Sequence, residues 1–123
     1  MTTYLESDGK SVTVYLTAEV SKGQVAVAEG WLGITGSSGG SGDYVALATD
    51  RREYQFEFPA GLSASKGDII YVDVTDLTGN TPDTSAYGTS SGGDNEPLCK
   101  LTSDLTELPN GNLFGTGILI GGL

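Results

Sequence analysis

The chain of 123 residues contains no histidine and one cysteine, Cys99. Without histidine, no side chain has an ordinary pKa near neutrality. A serine or cysteine nucleophile would therefore lack its imidazole base. A lone cysteine also rules out an intrachain disulfide. Positive charge is scarce: Lys10, Lys22, Arg51, Arg52, Lys66 and Lys100 face 16 acidic residues, giving a net charge of −10. Nucleic-acid binding draws most of its affinity from clustered Lys and Arg on phosphate. That partner is set aside, and an anionic membrane surface with it. The apolar run at residues 118–120 is far short of the ~20 residues that cross a bilayer. Residues 1–10 lack the basic start and apolar stretch of a secretory leader, so synthesis and retention in the cytoplasm are expected.

Glycine is what the chain has in excess, with 19 residues. Together with Ser/Thr-rich punctuation and short Val/Ile/Tyr/Phe runs, this predicts an all-β fold. A single small β-barrel or β-sandwich with little helix is expected, over residues 11–123 behind an N-terminal arm at residues 1–10. Period-two alternation predicts strands at residues 11–17, 24–29, 44–49, 53–58, 68–74 and 113–120. The sharpest is 53–58, with Tyr54, Phe56 and Phe58 on one face and Glu53, Gln55 and Glu57 on the other. Short helical turns are expected at 60–65 and 103–108, the latter from a weak capping pattern of Ser103, Asp104 and Glu107. Residues 36–42 and 78–95 read as surface loops. The turns Ser21-Lys22-Gly23 and Ser65-Lys66-Gly67 echo each other faintly, each ahead of a strand.

Possible reactive patterns have simpler readings. Two G-x-S-x-G matches, at 36–40 and 88–92, lie in low-complexity loops with no histidine to serve them. Gly115-Thr116-Gly117 lacks the third glycine and the helix of a dinucleotide fingerprint. Glycines 30, 33, 36, 39 and 42 recur every third residue, without the proline or length of collagen. Asp73, Asp76, Asp83, Asp94 and Glu96 could supply oxygen ligands to calcium, but their spacing matches no EF-hand loop and solvated loop charge is favoured. Glu53 and Glu57 are about 13 Å apart along one strand, beyond the ~10 Å of paired glycosidase carboxylates. Cys99 reads as a small buried hydrophobe. Trp31 reads as a core or intersubunit anchor. No enzyme activity, cofactor or metal is expected.

Several fragments occur in an order that resembles the small capsid decoration (cement) proteins of tailed bacteriophages. They are Tyr4-Leu5-Glu6-Ser7-Asp8-Gly9-Lys10 with Val12-Thr13-Val14, then Ala18-Glu19-Val20-Ser21-Lys22-Gly23-Gln24-Val25, then Gly30-Trp31-Leu32-Gly33-Ile34. Gly42-Asp43-Tyr44-Val45-Ala46-Leu47 follows a variable stretch. The most telling is Glu53-Tyr54-Gln55-Phe56-Glu57-Phe58-Pro59, ahead of Lys66-Gly67-Asp68-Ile69-Ile70-Tyr71-Val72-Asp73. Residues 78–112 match poorly. The resemblance implies a compact β body, often trimeric, that clasps the outside of a phage head and stabilises the shell without catalysis. Its partner would be the major capsid protein and its location the virion. Tyr4, Leu5, Trp31, Tyr54, Phe56 and Phe58 are the candidate contacts with capsid or neighbouring subunit. The alternative is a β-sandwich glycan- or ligand-binding module of a phage tail or surface protein, using exposed aromatics among Trp31, Tyr44, Tyr71 and Tyr87.

Overall fold

A computed structural model describes residues 10–120. Tyr4, Leu5 and most of the expected arm lie outside the described residues. The fold is all-β, built from antiparallel sheets that do not close into a barrel, and is sandwich-like. Among the described residues twelve strands follow in order: β1 (Ser11–Tyr15), β2 (Val25–Ala28), β3 (Trp31–Thr35), β4 (Tyr44–Ala48), β5 (Glu53–Phe58), β6 (Ile69–Asp73), β7 (Leu77–Thr78), β8 (Thr81–Pro82), β9 (Tyr87–Gly88), β10 (Asn95–Leu101), β11 (Thr106–Glu107) and β12 (Leu113–Leu119). One sheet runs β1-β4-β3-β2. The larger runs β11-β12-β10-β6-β9, with β5 also paired to β12, and β7-β8 form a separate ribbon.

The β2–β3 hairpin is the hinge of the architecture, because it has apolar residues on both faces. Leu32 and Ile34 join a core with Phe56, Phe58, Ile70, Leu98 and Leu119 of the larger sheet. Ala26 and Ala28 instead face Val14, Leu16, Val45 and Leu47 in a second, aliphatic core. The hairpin turns through Glu29 and Gly30, both at positive φ (49° and 82°), the backbone that a tight two-residue hairpin demands. β3 is in ladder register with β4 at two residue pairs, Ile34↔Ala48 and Thr35↔Leu47. At Gly33 the approach is so close that a Cβ would lie 2.3 Å from the Ala48 carbonyl oxygen. Only glycine fits there.

Three turns share one construction. In Ser21–Gln24, Gly40–Asp43 and Ser65–Asp68 the third residue is a glycine at φ 79°, 90° and 92°, the left-handed position that type II turns reserve for glycine. The fourth residue's side chain accepts the first residue's N–H: Gln24 Oε1 at 3.0 Å, Asp43 Oδ2 at 2.8 Å and Asp68 Oδ2 at 2.9 Å. The faint echo of the two Ser-Lys-Gly turns is therefore a repeated turn, with a third copy at Gly40 that carries no lysine.

Two strands escape alternation. β3 is buried on nearly every residue, so it shows no period of two. β10 carries Pro97 and a register shift between Pro97 and Cys99 that leaves adjacent Leu98 and Cys99 both buried. Proline inside a sheet is tolerated at such a bulge. The two expected helical turns do not form. Residues 60–61 form a turn and residues 62–65 have no regular structure, and residues 106–107 pair with β12 as β11. Across from them Gly115 lies so close that its Cβ would meet Leu105 Cδ2 at 2.7 Å. Tertiary packing thus outweighs a weak local cap. The helix described is one 3-10 turn at Thr84–Ala86, inside the expected second loop.

Candidate binding surfaces

Of the six residues nominated from the sequence, Trp31, Tyr54, Phe56 and Phe58 are among the described residues, and these four do not form one outward surface. Tyr54, Phe56 and Phe58 do share one face of β5, as alternation requires, and that face is turned inward. Phe58 is 1% and Phe56 4% exposed. They continue a ladder of rings: Tyr54 edge-on to Phe56 at 6.4 Å, Phe56 stacked on Phe58 at 5.5 Å, and Phe58 edge-on to Tyr87 at 5.9 Å. Such pairs add about 1 kcal/mol each beyond the area they bury. Phe56 and Phe58 are core residues with almost no surface to offer a partner. Trp31 is half-buried against the aliphatic core.

Tyr54 is the polar end of the ladder. Its hydroxyl donates to Asp50 Oδ1 at 2.6 Å, and Asp50 also pairs with Arg52 Nε at 2.7 Å. Burial, then the hydrogen bond to Asp50 and its negative charge, push the Tyr54 hydroxyl up to about 12. Burial does the same to the Tyr87 hydroxyl and the Cys99 thiol, each pushed up to about 12. Cys99 is 0% exposed, and a thiol that holds its proton is a poor nucleophile.

Three of the acidic residues, Asp73, Asp76 and Asp83, are spent on their own loops. Asp73 Oδ1 accepts the Thr75 N–H and hydroxyl, which hold its carboxyl below the ordinary 3.8. Asp76 accepts from Ser85, and Asp83 accepts from Thr78. Among the described residues no three Asp, Glu or Cys side chains converge on one metal position. Glu57 accepts Asn112 Nδ2 at 2.7 Å from the loop before β12. The buried Asn80 is the strongest of these braces. Its Oδ1 accepts the Thr17 and Ala18 N–H groups at 2.9 and 3.0 Å, and its Nδ2 donates to the Val27 carbonyl at 3.0 Å. It sits in the ribbon turn beside Gly79, whose φ is 62° and whose Cβ would lie 2.4 Å from Ala18 Cβ.

Two exposed features remain. Tyr15 and Tyr44, adjacent on β1 and β4, form an edge-to-face pair at 5.2 Å and are 43% and 69% exposed. Beside them Glu29 Oε1 accepts the Tyr15 N–H at 2.6 Å. Alternation places Tyr15 on the outward face of its strand, but not its meeting with Tyr44, which needs the β1–β4 register. The second is an open groove of about 580 Å³ on the outer face of the larger sheet, lined by Arg51, Lys66, Lys100, Ile118 and Ile120 together with the turn at Gly67. Lys100 and Ile118 stand opposite each other on β10 and β12. Six scattered cations gave no sign in the sequence that three would meet.

Fold and surfaces together define a braced all-β domain with outward-facing aromatic and basic–apolar patches. No family model matches the chain, and neither a curated protein nor a solved structure matches it.

Proposed function

We propose that this chain is a non-enzymatic capsid decoration protein that binds the outer surface of a phage head, as a trimer, and stabilises the shell. The observation that carries this reading is where the resembling fragments fall. Gly30 to Ile34 makes the hairpin turn and most of β3, the strand shared by both cores. Glu53 to Pro59 is β5 and its aromatic ladder. Lys66 to Asp73 is a braced turn with β6. These three fragments fall on the frame of one β body, as expected when a family shares architecture rather than an active site. A rigid acidic body that binds the assembled shell stabilises it by mass action, and a closed trimer suits a threefold site. The test is light scattering followed by cosedimentation with emptied, undecorated phage heads. A mass three times 12.7 kDa and saturable pelleting with heads support the reading; a monomer that never pellets with any head refutes it.

The exposed Tyr15–Tyr44 pair favours a second reading, a glycan-binding module, because sugar faces stack on exposed rings. Saturable tyrosine shifts in a glycan titration, lost in Tyr44→Ala, would support it over the first.

A further inference from the structure

We infer that the outer edge of β5 takes up an extended, lysine- or arginine-bearing segment of a partner protein as an added strand. Among the described residues β5 pairs with β12 alone. In an antiparallel ladder, residues that bond the neighbouring strand alternate with residues whose main-chain groups point away from it. The Leu119 N–H donates to the Arg52 carbonyl at 3.0 Å, and the register continues through Tyr54↔Gly117, Phe56↔Gly115 and Phe58↔Leu113. Tyr54, Phe56 and Phe58 therefore bond β12. The N–H and C=O groups of Gln55 and Glu57 point the other way, and they meet no partner among the described residues.

A groove of about 430 Å³ runs along this edge, lined by residues 55–59 and, from the side of the smaller sheet, by residues 21–25 and Ile34. Its size falls within the range of about 300–1,000 Å³ usual for ligand sites. β2 is the edge strand of that smaller sheet. Val27 turns its N–H and C=O away from β3 and bonds both to Asn80, at 2.8 and 3.0 Å. Val25, two residues back, has the same orientation and meets no such partner among the described residues. Unpaired main-chain groups of two sheet edges thus line one groove, and an extended backbone is the ligand whose donors and acceptors match their spacing.

Charge selects the occupant. Glu53, Gln55 and Glu57 form the exposed face of β5, and the chain carries a net charge of −10. Opposite charges facing each other across strands stabilise the pair, and like charges destabilise it. A second copy of β5 would set glutamates against glutamates, and residues 1–9 contain no lysine or arginine. A segment with Lys or Arg at alternate positions meets the glutamates and turns its intervening side chains into the groove. The Glu57 carboxylate is already held by Asn112 Nδ2 at 2.7 Å, so little ordering remains when a cation arrives.

The test is amide hydrogen exchange of the full chain, alone and with the capped heptapeptide Thr-Lys-Val-Lys-Val-Lys-Thr. In the free chain the Gln55 and Glu57 N–H groups should exchange at least about tenfold faster than those of Phe56 and Phe58. Saturating peptide should slow both at least about fivefold, a peptide with Glu for each Lys should leave them unchanged, and Glu57→Lys should weaken lysine-peptide binding about tenfold. Gln55→Pro, tolerated where the N–H faces off an edge, should abolish binding while β10 stays protected. Exchange unchanged by the lysine peptide overturns the inference, as does equal slowing by the glutamate peptide. Slow exchange of Gln55 and Glu57 in the free chain overturns it too. The edge is then covered by a second copy if protection rises with protein concentration, and by this chain's own residues if it does not.

Discussion

The two cores on either side of the β2–β3 hairpin are built on different principles. The larger is aromatic and branched, with Phe56 stacked on Phe58 and Ile70, Leu98 and Leu119 around them. It also holds titrating groups, since Cys99 lies within it and Tyr54 and Tyr87 pack against it. The smaller is aliphatic: two alanines, three valines and two leucines, with Trp31 half-buried at its side. It is held by a close backbone approach at Gly33 and by the Asn80 brace that ties its loops to the β7–β8 ribbon. One core therefore rests on side-chain volume and the other on closeness and hydrogen bonding. Volume is replaceable by other volume; a close approach or a buried amide network is not.

That contrast can be broken from either side. The largest effect is expected for Phe58→Ala, at about 4 kcal/mol of unfolding free energy, against about 2 kcal/mol for Val14→Ala in the smaller core; urea denaturation of the two variants measures the difference. Asn80→Ala should come next, at about 3 kcal/mol, because it leaves two amide N–H groups and the Val27 carbonyl without partners. Its signature in hydrogen exchange is faster exchange at Thr17 and Ala18, with β10 and β12 protected as before. A third effect separates the cores by pH. Cys99, Tyr54 and Tyr87 titrate near 12 when folded, against ordinary values of 9.0 for the thiol and 10.0 for the hydroxyls. The folded state holds these protons after the unfolded chain has released them, so the stability these three groups contribute is constant below pH 9 and is lost as the pH rises from 9 towards 12. Loss of protection in alkali should therefore start in the larger core, at β10 and β12. The smallest effect is expected for Tyr44→Ala, under about 1 kcal/mol, since the ring is exposed and gives up only its partner Tyr15; a clearly larger loss in a thermal melt would show that the pair holds β1 to β4.

Legibility followed a simple physical rule. Where a strand has one face in water, the sequence alternates, and β1, β2, β4, β5, β6 and β12 were placed to within two residues. β5, with three acidic or amide residues outward and three rings inward, was placed without error. Where both faces are covered, as in β3, or a bulge resets the period, as at Pro97 in β10, alternation vanishes and the strand was not recognised. The aromatic face of β5 was visible in the sequence, but a ring row against a core and a ring row against a partner look identical there. Burial settled that Phe56 and Phe58 are core.

The amino-acid sequence by itself determined the all-β class, most outward-facing strands, the glycine turns and the acidic character, because each depends on residues close along the chain. Only the tertiary structure decided that one hairpin would be shared by two cores, that Asn80 would brace loops more than fifty residues away, and that three scattered cations would meet over two isoleucines. Those features depend on sheet register and chain crossing, which join residues that no local pattern connects.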